Sequence, residues 1–268
     1  MTAVAQKAPG FIKNPGRLLE VEPSPRRVRV RFNGEAIVDS TRVVLMREAN
    51  QTPVYYFPMD DVRMDLFTPT DHDSYCPYKG HASYWTLKLG GQTEENVMWS
   101  YREPYEEMLG ITDYVAFYWG RMDSWWEEDE EIFVHPRDPK KRVDVVASHR
   151  PVRVVLGGET VAETTGPHFL FETNWPTRYY IPAGDVRMDL LSPAELRTRC
   201  PYKGIASYYT ASIGGETFEN IAWSYADPIA ECPKIKGLIC FHNENVDAIL
   251  VDGEATEKPV TRWSAKKD

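Results

Sequence analysis

The chain contains one stretch twice, and nothing else about it restricts the fold as much. Val62-Arg63-Met64-Asp65-Leu66, Cys76-Pro77-Tyr78-Lys79-Gly80, Ala82-Ser83-Tyr84 and Trp99-Ser100-Tyr101 return as Val186 to Leu190, Cys200 to Gly204, Ala206 to Tyr208 and Trp223 to Tyr225. Each pair is 124 residues apart, as Cys76 is from Cys200, so the copies align without a gap. A repeat of this length is a duplicated domain rather than a short solenoid unit.

Within the 268 residues each copy is long enough to bury its own core. The formal charge of −9 argues against a nucleic-acid partner, because polyanion binding needs dense Lys and Arg to neutralise phosphates. Residues 1 to 10 lack an apolar targeting core, and no run approaches the roughly 18 apolar residues of a membrane span. A cytoplasmic protein with no membrane partner is expected. Cys76, Cys200, Cys232 and Cys240 form no C-x-x-C pair, so neither a zinc knuckle nor a disulfide framework is predicted, and no metal or cofactor is assigned. The sequence leaves the oligomeric state open.

The first copy is predicted over residues 11–131 and the second over 132–255, with 1–10 and 256–268 as loose tails. The acidic run Glu127-Glu128-Asp129-Glu130-Glu131 at the seam reads as a solvated face or linker. Alternating segments such as Arg27 to Phe32 and Pro151 to Leu156 run into Asn33-Gly34 and Gly157-Gly158, the signature of a hairpin. Gly90-Gly91 and Gly214-Gly215 close a second hairpin in each copy. Twenty prolines punctuate the chain and helical periodicity is poor, leaving one short helix per copy, near Pro104–Leu109 and Pro228–Cys232. The fold expected is mainly β: two tandem small antiparallel domains, tent-like or barrel-like, with few short helices.

Residues kept in both copies are polar and aromatic, whereas a purely structural repeat should keep Gly, Pro and apolar positions. Glu48/Glu172, Cys76/Cys200 and Lys79/Lys203 are the candidate catalytic groups. Tyr56/Tyr180, Arg63/Arg187, Tyr84/Tyr208 and Tyr101/Tyr225 are candidate substrate-binding groups. No histidine is shared between the copies, so a common Cys-His or Ser-His-Asp arrangement is absent and Glu48/Glu172 or Asp65/Asp189 would have to accept any proton. Cys-Pro-Tyr-Lys-Gly reads as a tight turn, with Pro fixing φ and Gly accepting positive φ. Lys79 either stabilises the Cys76 thiolate or, with Arg63, holds a substrate carboxylate or phosphate, or else pairs with an Asp on the preceding loop. Arg63 and Asp65, two residues apart, share one face if the segment is a strand; they form either a surface pair or part of a site. Cys76 is either a nucleophile or a small buried hydrophobe.

The Arg-Met-Asp-Leu, Cys-Pro-Tyr-Lys-Gly-x-Ala-Ser-Tyr and Trp-Ser-Tyr series, with the lead-in from His135 to Asp144, resembles the domain of unknown function 427 family over nearly the whole chain, as two copies. The resemblance implies a compact β-rich domain of the kind called a β-tent. A nucleotidyltransferase-like label attached to the family has no counterpart here, for there is neither a G-x-x-x-x-G-K phosphate loop nor a D-x-D magnesium motif. Related β-tent domains that bind zinc use two C-x-x-C knuckles, which are absent here. The first copy departs from the lead-in, having Asn14-Pro15-Gly16-Arg17 where the second has Asp138-Pro139-Lys140-Lys141.

The function expected is an enzyme acting on a small polar or anionic metabolite, with Arg and Lys orienting the anion. The alternatives are a non-catalytic module binding a small molecule or a protein, and a structural protein in which the motif is only a folding signature.

Overall fold

A computed structural model describes residues 6–264; the tail expectations for 1–5 and 265–268 lie outside the described residues. The chain folds as two compact units that divide between Asp138 and Pro139.

The first unit contains α1 (Pro9–Lys13), β1 (Leu19–Pro23), β2 (Val28–Phe32), β3 (Glu35–Ser40), β4 (Val44–Glu48), β5 (Val54–Pro58), β6 (Phe67–Cys76), β7 (Gly80–Leu89), β8 (Gln92–Ser100), β9 (Tyr114–Phe117), β10 (Ser124–Glu127) and β11 (Glu130–Ile132). These strands form a seven-stranded sheet in the order β1-β4-β5-β9-β8-β7-β6 and a four-stranded sheet in the order β11-β10-β2-β3. Neither sheet closes into a barrel. The second unit repeats the plan with β12 (Val143–Ala147), β13 (Val152–Leu156), β14 (Glu159–Thr164), β15 (His168–Glu172), β16 (Arg178–Ile181), β17 (Leu191–Cys200), β18 (Gly204–Ile213), β19 (Glu216–Ser224), β20 (Ile239–Phe241), β21 (Ala248–Val251) and β22 (Glu254–Ala255). Its sheets run β12-β15-β16-β20-β19-β18-β17 and β14-β13-β21-β22. Among the described residues no helix is long and apolar enough to cross a membrane.

The central strands β4, β5 and β9 of the first unit's large sheet are buried on both faces, which is why they read as apolar runs rather than a clean alternation. Tyr55 and Phe57 of β5, Leu87 of β7, Met98 of β8 and Val115 of β9 pack toward the four-stranded sheet with Val30 and Trp125. The residues between them, Tyr56, Tyr84, Trp99 and Ala116, point to the opposite face and meet Met108 and Ile111. The candidate site is built on this second face.

Both tails and the expected second-copy helix differ from the sequence-based expectation. Residues 6–10 are docked: Ala8 is fully buried and donates its N–H to Glu107 Oε2 at 3.0 Å, and the Gly10 N–H bonds the Pro77 carbonyl at 2.8 Å. Residues 256–264 are anchored too, for the Thr256 N–H bonds the Ile249 carbonyl and the Trp263 carbonyl accepts from Asn245. The acidic run is a solvated face, with Glu128, Asp129, Glu130 and Glu131 exposed, and it closes the β10–β11 hairpin rather than serving as a linker; Glu127 is buried, where it accepts the Tyr55 hydroxyl at 2.7 Å. The expected helix near Pro104–Leu109 is a 3-10 turn over Glu106–Ile111. That near Pro228–Cys232 is irregular, since Pro233 disfavours helical geometry at Cys232, which sits at φ −130° and ψ 44°.

Gly10 is required where it stands. A Cβ there would lie 2.6 Å from the Tyr78 ring and 2.8 Å from the Pro77 carbonyl. Gly10→Ala is expected to cost about 1–3 kcal/mol by overpacking and to speed amide exchange at Ala8; unchanged exchange there would mean the segment is not clamped.

Candidate functional site

The Cys76–Gly80 turn joins β6 to β7 and is the turn its composition predicts. The Lys79 N–H bonds the Cys76 carbonyl at 3.2 Å, and Gly80 sits at φ 102°. The second copy reproduces it, with 3.3 Å from Lys203 to Cys200 and φ 108° at Gly204.

The turn aims Lys79 inward, where its Nζ donates to Glu48 Oε2 at 2.6 Å. Glu48 ends β4, and its other oxygen accepts from Arg17 at 2.8 Å. Arg17 in turn lies 4.9 Å from the centre of the Tyr78 ring. In the second copy Glu172 accepts from Lys203 and, at 2.7 Å, from Lys141, which lies 4.9 Å from the Tyr202 ring centre. Each copy therefore holds one carboxylate between two cations. Burial acts to raise the Glu48 carboxyl, but hydrogen bonds from Lys79 and Arg17 bring it below its ordinary range. For Glu172, burial is likewise outweighed, by the charge of Lys203 and hydrogen bonds from Lys141 and Lys203. Both glutamates stay ionised near neutrality, as counter-ions rather than poised proton acceptors.

Glu48, Tyr56, Cys76, Lys79, Tyr84 and Tyr101 line one cavity of about 340 Å³, so every first-copy candidate except Arg63 reaches it. Trp99 and Tyr118, their ring centres 4.8 Å apart, add two more aromatic walls, and Val54 lies on the lining. Several hydroxyls are already committed: Trp99 Nε1 donates to the Tyr56 hydroxyl at 3.1 Å, and the Tyr84 hydroxyl shares a 2.6 Å bond with Ser74. Burial raises the Tyr56 and Tyr101 phenols, which stay neutral.

Arg63 and Arg187 do not join these clusters. Arg63 caps a 3-10 turn, Met64–Leu66, so its neighbour Asp65 folds back onto it with bonds of 3.1 and 3.0 Å at the surface. Arg187 and Asp189 repeat the pair at 2.8 and 2.6 Å. The shared face read from strand alternation is thus a turn contact. Cys76 and Cys200 are half-buried, Cys232 and Cys240 are buried, and all four are free thiols. Among the described residues, no three His, Cys, Asp or Glu side chains are grouped to hold a metal ion.

In the second copy Glu172, Tyr180, Cys200, Lys203, Tyr208 and Tyr225 occupy the matching positions, but the space beside Trp223 is taken. Val54 is replaced by Arg178, Tyr118 by His242 and Gly120 by Glu244. The Arg178 guanidinium lies 5.6 Å from the Trp223 ring centre and makes two 2.7 Å bonds to Glu244, whose side chain is fully buried. Thr261 also donates to Glu244, at 2.6 Å, and the His242 ring packs 4.6 Å from Trp223. Glu244 is drawn down to about 2, burial being outweighed by the hydrogen bonds from Arg178 and Thr261. Burial, with Arg178 adding to it, pushes His242 down to about 4.

Comparing the copies by identity passes over Arg17 and Lys141, although both are cations at the same offset; that shared charge is the signal available. Arg178 and Glu244 leave no trace in a search for retained residues, since they are where the copies differ. A family model described as a domain of unknown function (DUF427) matches residues 20–128 and again 144–252. No curated protein matches the chain. With two full matches in the 124-residue register of its own repeat, the chain belongs to the DUF427 family as a tandem pair of its domains.

Proposed function

We propose that the protein binds a small organic acid in the first copy, and that the second copy is a closed version of the same site kept for the fold. The observation that supports this most is the pairing of an aromatic-walled cavity of about 340 Å³ with a Glu48-Lys79-Arg17 cluster whose charges sum to one positive. Such a volume suits a small metabolite, and convergent polar groups in an apolar pocket fix its orientation. Lys79 spends one of its three N–H donors on Glu48, which leaves capacity for an incoming carboxylate. The binding reading ranks above the catalytic one because Glu48, the one retained carboxylate at the cavity among the described residues, is committed to two cations. A catalytic reading would rest on the Cys76 thiol, which lines the same cavity as Lys79.

Ligand-observed NMR with a library of small carboxylic acids tests the proposal on the full chain. Binding is expected to fall at least about tenfold in Lys79→Met, a loss typical of a charged hydrogen bond, and to be unchanged in Lys203→Met. Near-ultraviolet circular dichroism of the Lys79→Met protein, unchanged from that of the native chain, controls for loss of folding. No acid bound by the native chain, or equal sensitivity to Lys203→Met, would sink the reading.

A further inference from the structure

We infer that the acid taken by the first copy also carries a weakly hydrated organic cation, a guanidinium or quaternary ammonium, seated against Trp99. This rests on the ligand reading above and adds the chemistry of the ligand's other end. The two copies share one scaffold, and the second shows what the space beside its tryptophan accepts: the Arg178 guanidinium, 5.6 Å from the Trp223 ring centre. Arg178 and Tyr180 alternate along β16 onto the site face, as Val54 and Tyr56 do along β5. Val54 is shorter than arginine, and the room it leaves belongs to the first-copy cavity.

The surroundings of that room favour a cation supplied from outside. Tyr118 stands where the second copy has His242, so Trp99 gains a phenol ring at 4.8 Å in place of an imidazole. Tyr56 meets Trp99 edge-on at 6.3 Å, and Tyr84 completes the aromatic surround. Aromatic faces attract cations and cannot replace the hydration shell of a small, strongly hydrated one, so a dispersed charge fits best. Gly120 replaces Glu244, which removes the internal carboxylate that holds Arg178 in the second copy. Lys79, at the cavity's charged end, takes the ligand's carboxylate, and the two ends together describe a zwitterion.

Calorimetric titration of the full chain with L-arginine, L-citrulline and glycine betaine tests this. Citrulline keeps the length of arginine and replaces its charge with a neutral urea. Arginine or betaine is expected to bind, with citrulline at least about tenfold weaker than arginine. V54R/G120E should abolish arginine binding by rebuilding the second copy's plug; Gly120 has open space for the new side chain. Should that variant fail to fold, Trp99→Phe is expected to weaken arginine binding several-fold more than it weakens the binding of simple carboxylic acids; equal weakening of both would overturn the cation seat. Citrulline binding as tightly as arginine, or simple acids binding while neither cation does, overturns the cation and leaves the acid site standing. If neither simple acids nor the cationic probes bind, both readings fall.

Discussion

Replacing Glu244 with glutamine is expected to destabilise the second copy by about 3–5 kcal/mol, the range for removing one partner of a buried ion pair. Glu244 is fully enclosed and Arg178 nearly so, and they share two 2.7 Å bonds. The large term is the guanidinium left behind, which cannot be hydrated where it lies against Trp223. The double replacement R178V/E244G, which installs the first copy's residues, should recover much of the loss, because removing both charges leaves none stranded. Hydrogen exchange over β16 and β20 would resolve the second copy from the first. A loss under about 1 kcal/mol for the single variant would place the pair in the range of solvated ion pairs.

Acid should erode the second copy over a wide range, in two overlapping stages. His242 is neutral in the folded protein, its pKa lowered from 6.5 to about 4, so the unfolded chain binds a proton first and stability falls as pH drops from about 6.5 toward 4. Glu244, lowered from 4.5 to about 2, holds its contribution above pH 4.5 and loses it as pH falls toward 2. By the usual conversion the histidine stage is on the order of 3 kcal/mol. The first copy has Tyr118 and Gly120 at these positions and lacks both stages. Unfolding midpoints measured from pH 7 to pH 3 should therefore fall more steeply for β16 and β20 than for β5 and β9. His242→Tyr should flatten the upper stage; an unchanged profile in that variant would assign the acid loss elsewhere.

The repeat made much of this architecture legible. Strands, hairpin glycines and the Cys-Pro-Tyr-Lys-Gly turn depend on local backbone chemistry, which both copies preserve, and the retained Glu, Lys and Tyr pairs do meet on one sheet face. What escaped depends on distance in space or on difference between copies. Arg17 reaches Glu48 from a segment whose neighbours changed, and it pairs with Lys141 by charge rather than identity. Alternation puts Arg63 and Asp65 on one strand face, whereas a 3-10 turn folds one onto the other. The plug of Arg178 and Glu244 is invisible to any search for what the copies share. The docked N-terminal residues carry no periodic pattern; their burial follows from the close approach of Gly10 to Tyr78.

On the reading proposed, the chain has one open site and one closed one. Native mass spectrometry of the full chain, equilibrated with the small-acid library and the zwitterion series, measures this as stoichiometry. One bound molecule per chain is predicted for the native protein and none for V54R/G120E. Two molecules per chain, or one that survives V54R/G120E, would mean that the second copy is open or that the ligand sits elsewhere.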